Sequence, residues 1–226
     1  TSVFHYKKTF GEVRELHQRG YQKGLFSGEI MRAIINLGNE LYLQFCQGEP
    51  LRKLKQAAEN VVNITKSSHQ FFPASSIWLA LEKSLEESDH SYLNDANFDE
   101  QFLLNLRRSV HCAVLDHVRM EYAFWANKPD EEILLTLAQA ASTLPRFSTV
   151  VFATDHHLIT GLSLIKVLAK DPASAKAQEY SALLQRSSNK IKKLADFCPE
   201  NFDHKRYLLQ AETFRLKTDT AWQAMP

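Results

Sequence analysis

Two clusters of histidine and acidic residues hold the side chains of this sequence that are best suited to chemistry. The first cluster contains His111, Cys112, Asp116 and His117. Imidazole, thiolate and carboxylate groups bind transition metals, but ligands on one helix are normally three or four residues apart, because that spacing puts them on one face. His111 and His117 are six residues apart and face different directions. We therefore predict that this cluster binds no metal.

The second cluster is Asp155-His156-His157. The segment His157-Leu-Ile-Thr-Gly161 resembles the His-x-x-Lys-Gly pattern of histidine phosphotransfer domains, which present an exposed histidine on a four-helix bundle. That resemblance implies that His157 is the phosphoacceptor. Thr160, however, stands where the pattern has the lysine that stabilises the phosphoryl group. We predict an Asp/His pair on the partly exposed flank of a helix, and phosphotransfer through His157 is the alternative.

The sequence lacks the motifs that common catalytic sites need. It contains no Gly-x-x-x-x-Gly-Lys-Ser/Thr phosphate loop, no Gly-x-Gly-x-x-Gly turn, no His-Glu-x-x-His, no Cys-x-x-Cys and no Gly-x-Ser-x-Gly elbow. We therefore expect no enzyme activity, no cofactor and no metal in this chain. Cys46, Cys112 and Cys198 are far apart, which predicts free, buried thiols and fits a reducing cytoplasm.

Binding surfaces are predicted less directly. Trp78, Tyr122 and Trp125 could line a ligand groove, although aromatic residues at helical spacing more commonly pack between helices. The basic run Lys190-Ile-Lys-Lys193 predicts a solvated helix face. The formal net charge is +1, with 27 basic and 26 acidic side chains, which argues against a nucleic-acid surface. Apolar runs are too short for a membrane span.

Helical periodicity dominates the chain, and apolar residues recur at spacings of three and four. In the stretch after Ser27, for example, Ile30, Ile34, Leu37 and Leu41 form one stripe. The pattern predicts helices over 5–23, 27–47, 50–66, 73–87, 98–108, 110–126, 130–144, 150–170, 174–197 and 201–217. Residues 88–97 are polar and rich in turn formers, so we expect a loop there. The pattern predicts a single all-α domain over residues 1–226.

Three segments share one arrangement, in which a helix bearing aromatic residues is followed by a short polar break and another helix. They are 42–51, 122–133 and 212–222. The third predicts a turn at 218–220 and a new helix beyond it. Helical hairpins that stack through their apolar faces form a tetratricopeptide-like superhelix, which we predict here, with a compact irregular helical bundle as the alternative. In the last helix we expect Tyr207, Leu208, Ala211 and Phe214 to face inward.

The C-terminal segment resembles a signature of very large bacterial signalling proteins. That signature is close to Pro-x-Asn-Phe-x-His-Lys, then Leu-x-x-Ala-Glu-x-x-Arg, then Ala-Met-x-Leu-Tyr. The matching residues here are Pro199, Asn201, Phe202, His204, Lys205, Leu208, Ala211, Glu212, Arg215, Ala224 and Met225, while Pro226 departs from it. Members of this family join a serine/threonine-kinase-like domain and an AAA-type NTPase module to a tetratricopeptide-like region. GAF, histidine-kinase or other output domains follow.

The resemblance implies a helical segment between catalytic modules, and we expect this chain to be an excised piece of such a protein. We predict a non-catalytic interaction module of a cytoplasmic, bacterial signal-transduction protein. Its partner would be a protein: a neighbouring domain of the same polypeptide, or a signalling partner that supplies a peptide or helix. Histidine phosphotransfer and small-molecule sensing between hairpins are the alternatives.

Overall fold

The computed structural model describes residues 6–70, 72–87, 110–143 and 152–223. Regular secondary structure in these ranges is helical throughout, so the predicted all-α class is confirmed. The helices are α1 (Phe10–Phe26), α2 (Ile30–Cys46), α3 (Leu51–Ser67), α4 (Ala74–Glu87), α5 (Val110–Trp125), α6 (Asp130–Thr143), α7 (Phe152–Lys170), α8 (Ala177–Phe197) and α9 (Pro199–Gln223). The predicted loop at 88–97 and the predicted helix at 98–108 lie outside the described residues. Elsewhere the predicted bounds agree with the observed ones to within three residues, except at the start of α1, which lies five residues later, and at the end of α9, which lies six residues later.

Four of these helices, α1, α2, α3 and α5, end in the same way. The residue after the cap takes a left-handed conformation: Gly28 (φ 74°), Gly48 (φ 73°), His69 (φ 53°) and Asn127 (φ 53°). The amide of the next residue then donates to a carbonyl five positions back, as Glu49 does to Gln44 at 3.1 Å. This is the Schellman arrangement, which satisfies the last carbonyls and reverses the chain sharply. Successive helices therefore become packed neighbours.

Packing follows the order of the chain and then closes on itself. Each described helix packs against the next one, and α2 also contacts α7. The side chain of Asn201, in α9, accepts from the amide of Phe10 at 2.8 Å and donates to the carbonyl of Lys8 at 2.8 Å. The rings of Phe10 and Phe202 meet edge to face, with centroids 5.7 Å apart. These contacts join residues about 190 positions apart, and a tetratricopeptide-like superhelix is not confirmed.

Two apolar clusters form the core of the described residues. The larger one draws on α1 to α7, on the end of α8 and on the start of α9, and Phe152, Phe202, Leu41 and Ile77 are among its fully buried members. The smaller one joins α7, α8 and α9 through residues such as Leu164, Ile191 and Leu209. None of the helices in the described ranges is long and apolar enough to cross a membrane.

The predicted turn at 218–220 is wrong, because α9 continues through these residues to Gln223. Thr218 is accommodated inside the helix, where its hydroxyl donates to the carbonyls of Arg215 at 2.8 Å and Phe214 at 3.3 Å. The Thr-Asp-Thr sequence contains neither glycine nor proline, so nothing in it forces the backbone out of the helix. Of the three predicted breaks, those in segments 42–51 and 122–133 are confirmed as helix boundaries, before α3 and α6.

The predicted inward stripe of α9 is also wrong. Tyr207, Leu208 and Phe214 are exposed. The buried face instead carries Phe202, Lys205, Leu209 and Leu216, which recur at spacings of three, four and seven. A rotation of the helix of roughly half a turn separates the two assignments. Because these predicted inward residues face outward, α9 carries an exposed row of large apolar side chains.

Candidate functional site

A cluster of ionisable side chains lies in the core where α2, α5, α7 and α9 meet. Asp155 of α7 and Lys205 of α9 form an ion pair inside the core, and both side chains are more than nine-tenths buried. Lys205 Nζ also lies 5.8 Å from the centre of the Phe10 ring. An unpaired charge at this depth would be very costly, so the two residues depend on each other. The pair fixes α9 against α7.

His117 and Glu121 of α5 extend the cluster. Glu121 Oε2 accepts a hydrogen bond from Trp125 Nε1 at 2.6 Å, and Glu121 Oε1 lies 3.6 Å from His117 Nε2. The His117 ring is fully buried against the rings of Phe152 and Trp78, with centroids 5.4 and 6.3 Å away. Neither of its nitrogens has a hydrogen-bond partner among the described residues. His117 therefore behaves as an apolar packing residue.

Burial controls the protonation of this cluster. Burial and, to a lesser extent, the negative charge of Asp155 raise the pKa of Glu121 to about 8. Burial lowers the pKa of His117 to about 4 and raises that of the Cys46 thiol, which also lies near Asp155. For Lys205, burial is the largest influence and acts to lower the pKa, but the charge and hydrogen bond of Asp155, together with Cys46 and Glu121, outweigh it and the pKa is raised. At neutral pH the cluster thus contains one ion pair and several neutral groups, which is a stable arrangement for a core.

The two histidine clusters can now be compared with their predictions. Within the described residues no group of three or more His, Cys, Asp or Glu side chains is placed to hold a metal ion. A partly exposed flank is predicted for the Asp155-His156-His157 cluster, and this is wrong for Asp155 and His156, because α9 and α5 cover them and both are buried. His156 Nδ1 contacts Met120 Sδ at 3.2 Å.

His157, the predicted phosphoacceptor, is half-buried on α7. Its ring centroid is 5.4 Å from that of His156. Burial and the charge of Lys190 lower its pKa to about 4. The ring is therefore neutral at physiological pH, and phosphotransfer through His157 stays a prediction.

The aromatic residues predicted to line a groove lie in three different settings. Trp78 is buried and borders a cavity of about 10 Å³ whose other lining residues, including Leu41, Leu54 and Leu81, are all apolar. Tyr122 is buried, with Lys128 Nζ 5.3 Å from its ring centre. Trp125 is 58% exposed at the end of α5 and donates to Glu121. A groove shared by these residues stays a prediction.

A larger depression lies between α8 and α9, with a volume of about 360 Å³. We call it the α8–α9 groove. Ile191 and Leu209 form its apolar floor, and Phe214, which is 69% exposed, lines its side. The charged side chains that line it are Lys192, Arg206 and Lys217. The groove combines an accessible aromatic surface with fixed positive charge, and both features are typical of binding sites.

The sequence contained part of the signal for this groove. The basic run at Lys190–Lys193 predicts a solvated helix face, but it does not indicate the depression that lies beside it. The groove depends on how α8 and α9 lie side by side and on the phase of α9, which was assigned wrongly. The buried position of Lys205 could have been found from helical phase, since it lies three residues after Phe202 and four before Leu209, on the same face.

Comparisons with known proteins add no assignment. A scan against protein-family models, a search of curated proteins and a search of solved structures each found no match to this chain.

Proposed function

We propose that this protein is a non-catalytic interaction module that binds a segment of a partner protein in the α8–α9 groove. The observation that carries the proposal is the exposed aromatic side of a groove that has a firm apolar floor. Phe214 is exposed while Ile191 and Leu209 beneath it are buried in the core. Large apolar side chains that stay accessible beside a concave surface are typical of protein-binding sites.

The exposed surface continues beyond the groove onto the outer face of α9. Tyr207 lies seven residues before Phe214 and therefore on nearly the same side of the helix. The Arg206 guanidinium stacks on the Tyr207 ring at 4.6 Å, which limits the mobility of this side chain. Rigid aromatic and arginine side chains are enriched among the residues that dominate binding energy.

The proposal extends to the setting that the sequence resemblance implies. The stacked hairpins belong to a tetratricopeptide-like array in a cytoplasmic bacterial signalling protein. Binding at the groove reports the presence of a neighbouring domain or a signalling partner to attached output domains. The buried ion pair between Asp155 and Lys205 holds α9, one wall of the groove, against α7.

Selection of peptides tests the proposal directly. A phage-displayed library of 12-residue peptides is selected on the wild-type protein, and enriched peptides are measured by fluorescence polarisation. We expect binding that weakens at least tenfold in Phe214→Ala. Phe197→Ala is the matched control, because Phe197 is 71% exposed on α8 and does not line the groove. Failure to enrich any peptide, or equal binding by Phe214→Ala, would overturn the proposal.

A further inference from the structure

The charge of the α8–α9 groove differs from that of the molecule as a whole. Lys192 of α8 and Arg206 and Lys217 of α9 line it, and no Asp or Glu side chain does. The whole chain has 27 basic and 26 acidic side chains, so its composition does not explain this excess of cations. The charged side chains that line the groove are therefore all basic, although Asp196 and Asp203 lie beside two of them.

The cations are spread along the groove and differ in how they are paired. Arg206 and Lys217 are eleven residues apart on α9, about 16 Å along the helix axis. At the Arg206 end, Asp203 lies 2.9 Å from Arg206 and Asp196 lies 2.9 Å from Lys192. The Lys192–Asp196 pair is about half exposed on both sides, and such pairs are weak enough to exchange partners. Lys217 lines the opposite end of the groove.

Between the charged ends, the centre of the groove is apolar. Ile191 and Leu209 form the floor and Phe214 the side. A volume of about 360 Å³ admits an apolar side chain together with the backbone on either side of it. The order along the groove is thus cation, apolar centre, cation.

We infer that the partner segment is acidic, with an apolar anchor residue for the centre of the groove and Asp or Glu residues on both sides of it. The inference rests on the proposed function and specifies the chemistry of the partner. The anchor packs against Phe214, and the flanking carboxylates reach Lys217 at one end and Lys192 and Arg206 at the other. Complementary charge sets the orientation of the segment and the rate at which it associates.

Three synthetic peptides test the charge requirement. Each is a fluorescein-labelled 12-mer with one central Phe, and four flanking positions are all Glu, all Gln or all Lys. Fluorescence polarisation at 50 and 300 mM NaCl gives the affinities. We expect the Glu peptide to bind at least tenfold more tightly than the Gln peptide, the Lys peptide not to bind, and the Glu affinity to fall several-fold at the higher salt concentration. Equal binding of the Glu and Gln peptides would overturn the inference.

Charge-reversal variants test whether the preference for the Glu peptide arises at the groove. Lys217→Glu and Lys192→Glu should each weaken the Glu peptide at least fivefold and improve binding of the Lys peptide. Lys193→Glu is the matched control, since it changes the net charge equally at an exposed position outside the groove lining. Lys217→Gln, checked by circular dichroism, gives the same direction with a smaller change. An equal loss in Lys193→Glu would contradict recognition at the groove.

The design separates this inference from the proposed function. If library peptides bind through Phe214 but are neutral or basic, the module is retained and the acidic partner is rejected. If no library peptide binds, the groove is not a docking site and both ideas fail. A preference for the Glu peptide that is lost in Lys217→Glu supports both.

Discussion

Asp155 and Lys205 show how strongly a single residue can depend on its environment. Both belong to residue types that are almost always exposed, yet here both are nearly inaccessible and paired inside the core. The pair costs desolvation energy when it forms, and its net contribution to stability is smaller than the Coulomb attraction suggests. The loss of one partner destabilises the protein more, because the remaining charge stays buried without compensation.

Removal of one charge should therefore destabilise the protein strongly. We expect Asp155→Asn and Lys205→Met each to lower the free energy of unfolding by about 3–5 kcal/mol. The double variant should lose much less than the sum of the two single losses, because no unpaired charge is left. Urea unfolding of the four proteins, analysed as a double-mutant cycle, measures the coupling.

The control for this cycle is an ion pair of the same type at the surface. Lys192 and Asp196 are 2.9 Å apart and about half exposed. Lys192→Met should change the free energy of unfolding by less than about 1 kcal/mol. If Asp155→Asn proves equally mild, the buried pair is not an essential part of the core.

The sequence indicates that Lys205 faces the core, but it does not indicate that Lys205 pairs with Asp155. Lys205 shares a helical face with Phe202 and Leu209, so its inward position can be read from periodicity. Asp155 is fifty residues earlier, and local spacing contains no information about which helix will cover it. This is why Asp155 was predicted to be partly exposed and the ion pair was not predicted.

Helix boundaries were predicted well wherever glycine or proline marks them. Gly48 and Pro50 separate α2 from α3, and Pro129 precedes α6. The last helix was predicted poorly because Thr218-Asp-Thr contains only weak helix breakers, and helical packing overrides them. The α8–α9 groove was not predicted for a related reason, since it depends on the rotation of α9 about its own axis.

The Schellman ends that α1, α2 and α3 share allow backbone strain to be tested by mutation. His69 occupies at φ 53° a position where Gly28 and Gly48 have φ 74° and 73°. A side chain with a Cβ is disfavoured in this region, whereas glycine adopts it freely. We expect His69→Gly to raise the free energy of unfolding by about 0.5–1 kcal/mol, as measured by urea denaturation, because His69 is exposed and no packing is lost.

The reverse substitution gives the matched control. Gly48→Ala introduces a Cβ at the equivalent position of α2, where no heavy atom lies within 4 Å to clash with it. Its effect therefore isolates the backbone conformation, and we expect a loss of about 1 kcal/mol. A change of the same sign in both variants would show that backbone strain does not determine the stability of these ends.

At the scale of the whole molecule, burial of ionisable groups makes stability depend on pH in two directions. The pKa values of His117 and His157 are lowered to about 4, and that of His156 to about 3, chiefly by burial. The unfolded chain takes up protons on these residues below pH 6.5, and the folded protein does not. Stability is therefore complete above pH 6.5 and falls as the pH decreases toward 4.

Glu121 acts in the opposite direction. Its pKa is about 8 in the folded protein and about 4.5 ordinarily, so the folded state keeps a proton that the unfolded state releases. Its contribution is greatest below pH 4.5 and is lost as the pH rises to 8. These three histidines, together with His17, His111 and His204, whose pKa values burial also lowers, oppose Glu121 below pH 6.5, and Glu121 acts without them above it. We expect the melting temperature, measured by differential scanning fluorimetry from pH 5 to 8.5, to be highest near pH 6.5.

Glu121→Gln separates the two effects within one fold. Glutamine cannot ionise, but its carbonyl can still accept the hydrogen bond from Trp125 Nε1. We expect the decline between pH 6.5 and 8 to flatten in this variant while the decline below pH 6.5 remains. Glu131→Gln, at an exposed position of α6, should leave the whole curve unchanged. If the alkaline decline persists in Glu121→Gln, a group other than Glu121 controls it, and the cluster does not couple the core to pH in the way that its burial predicts.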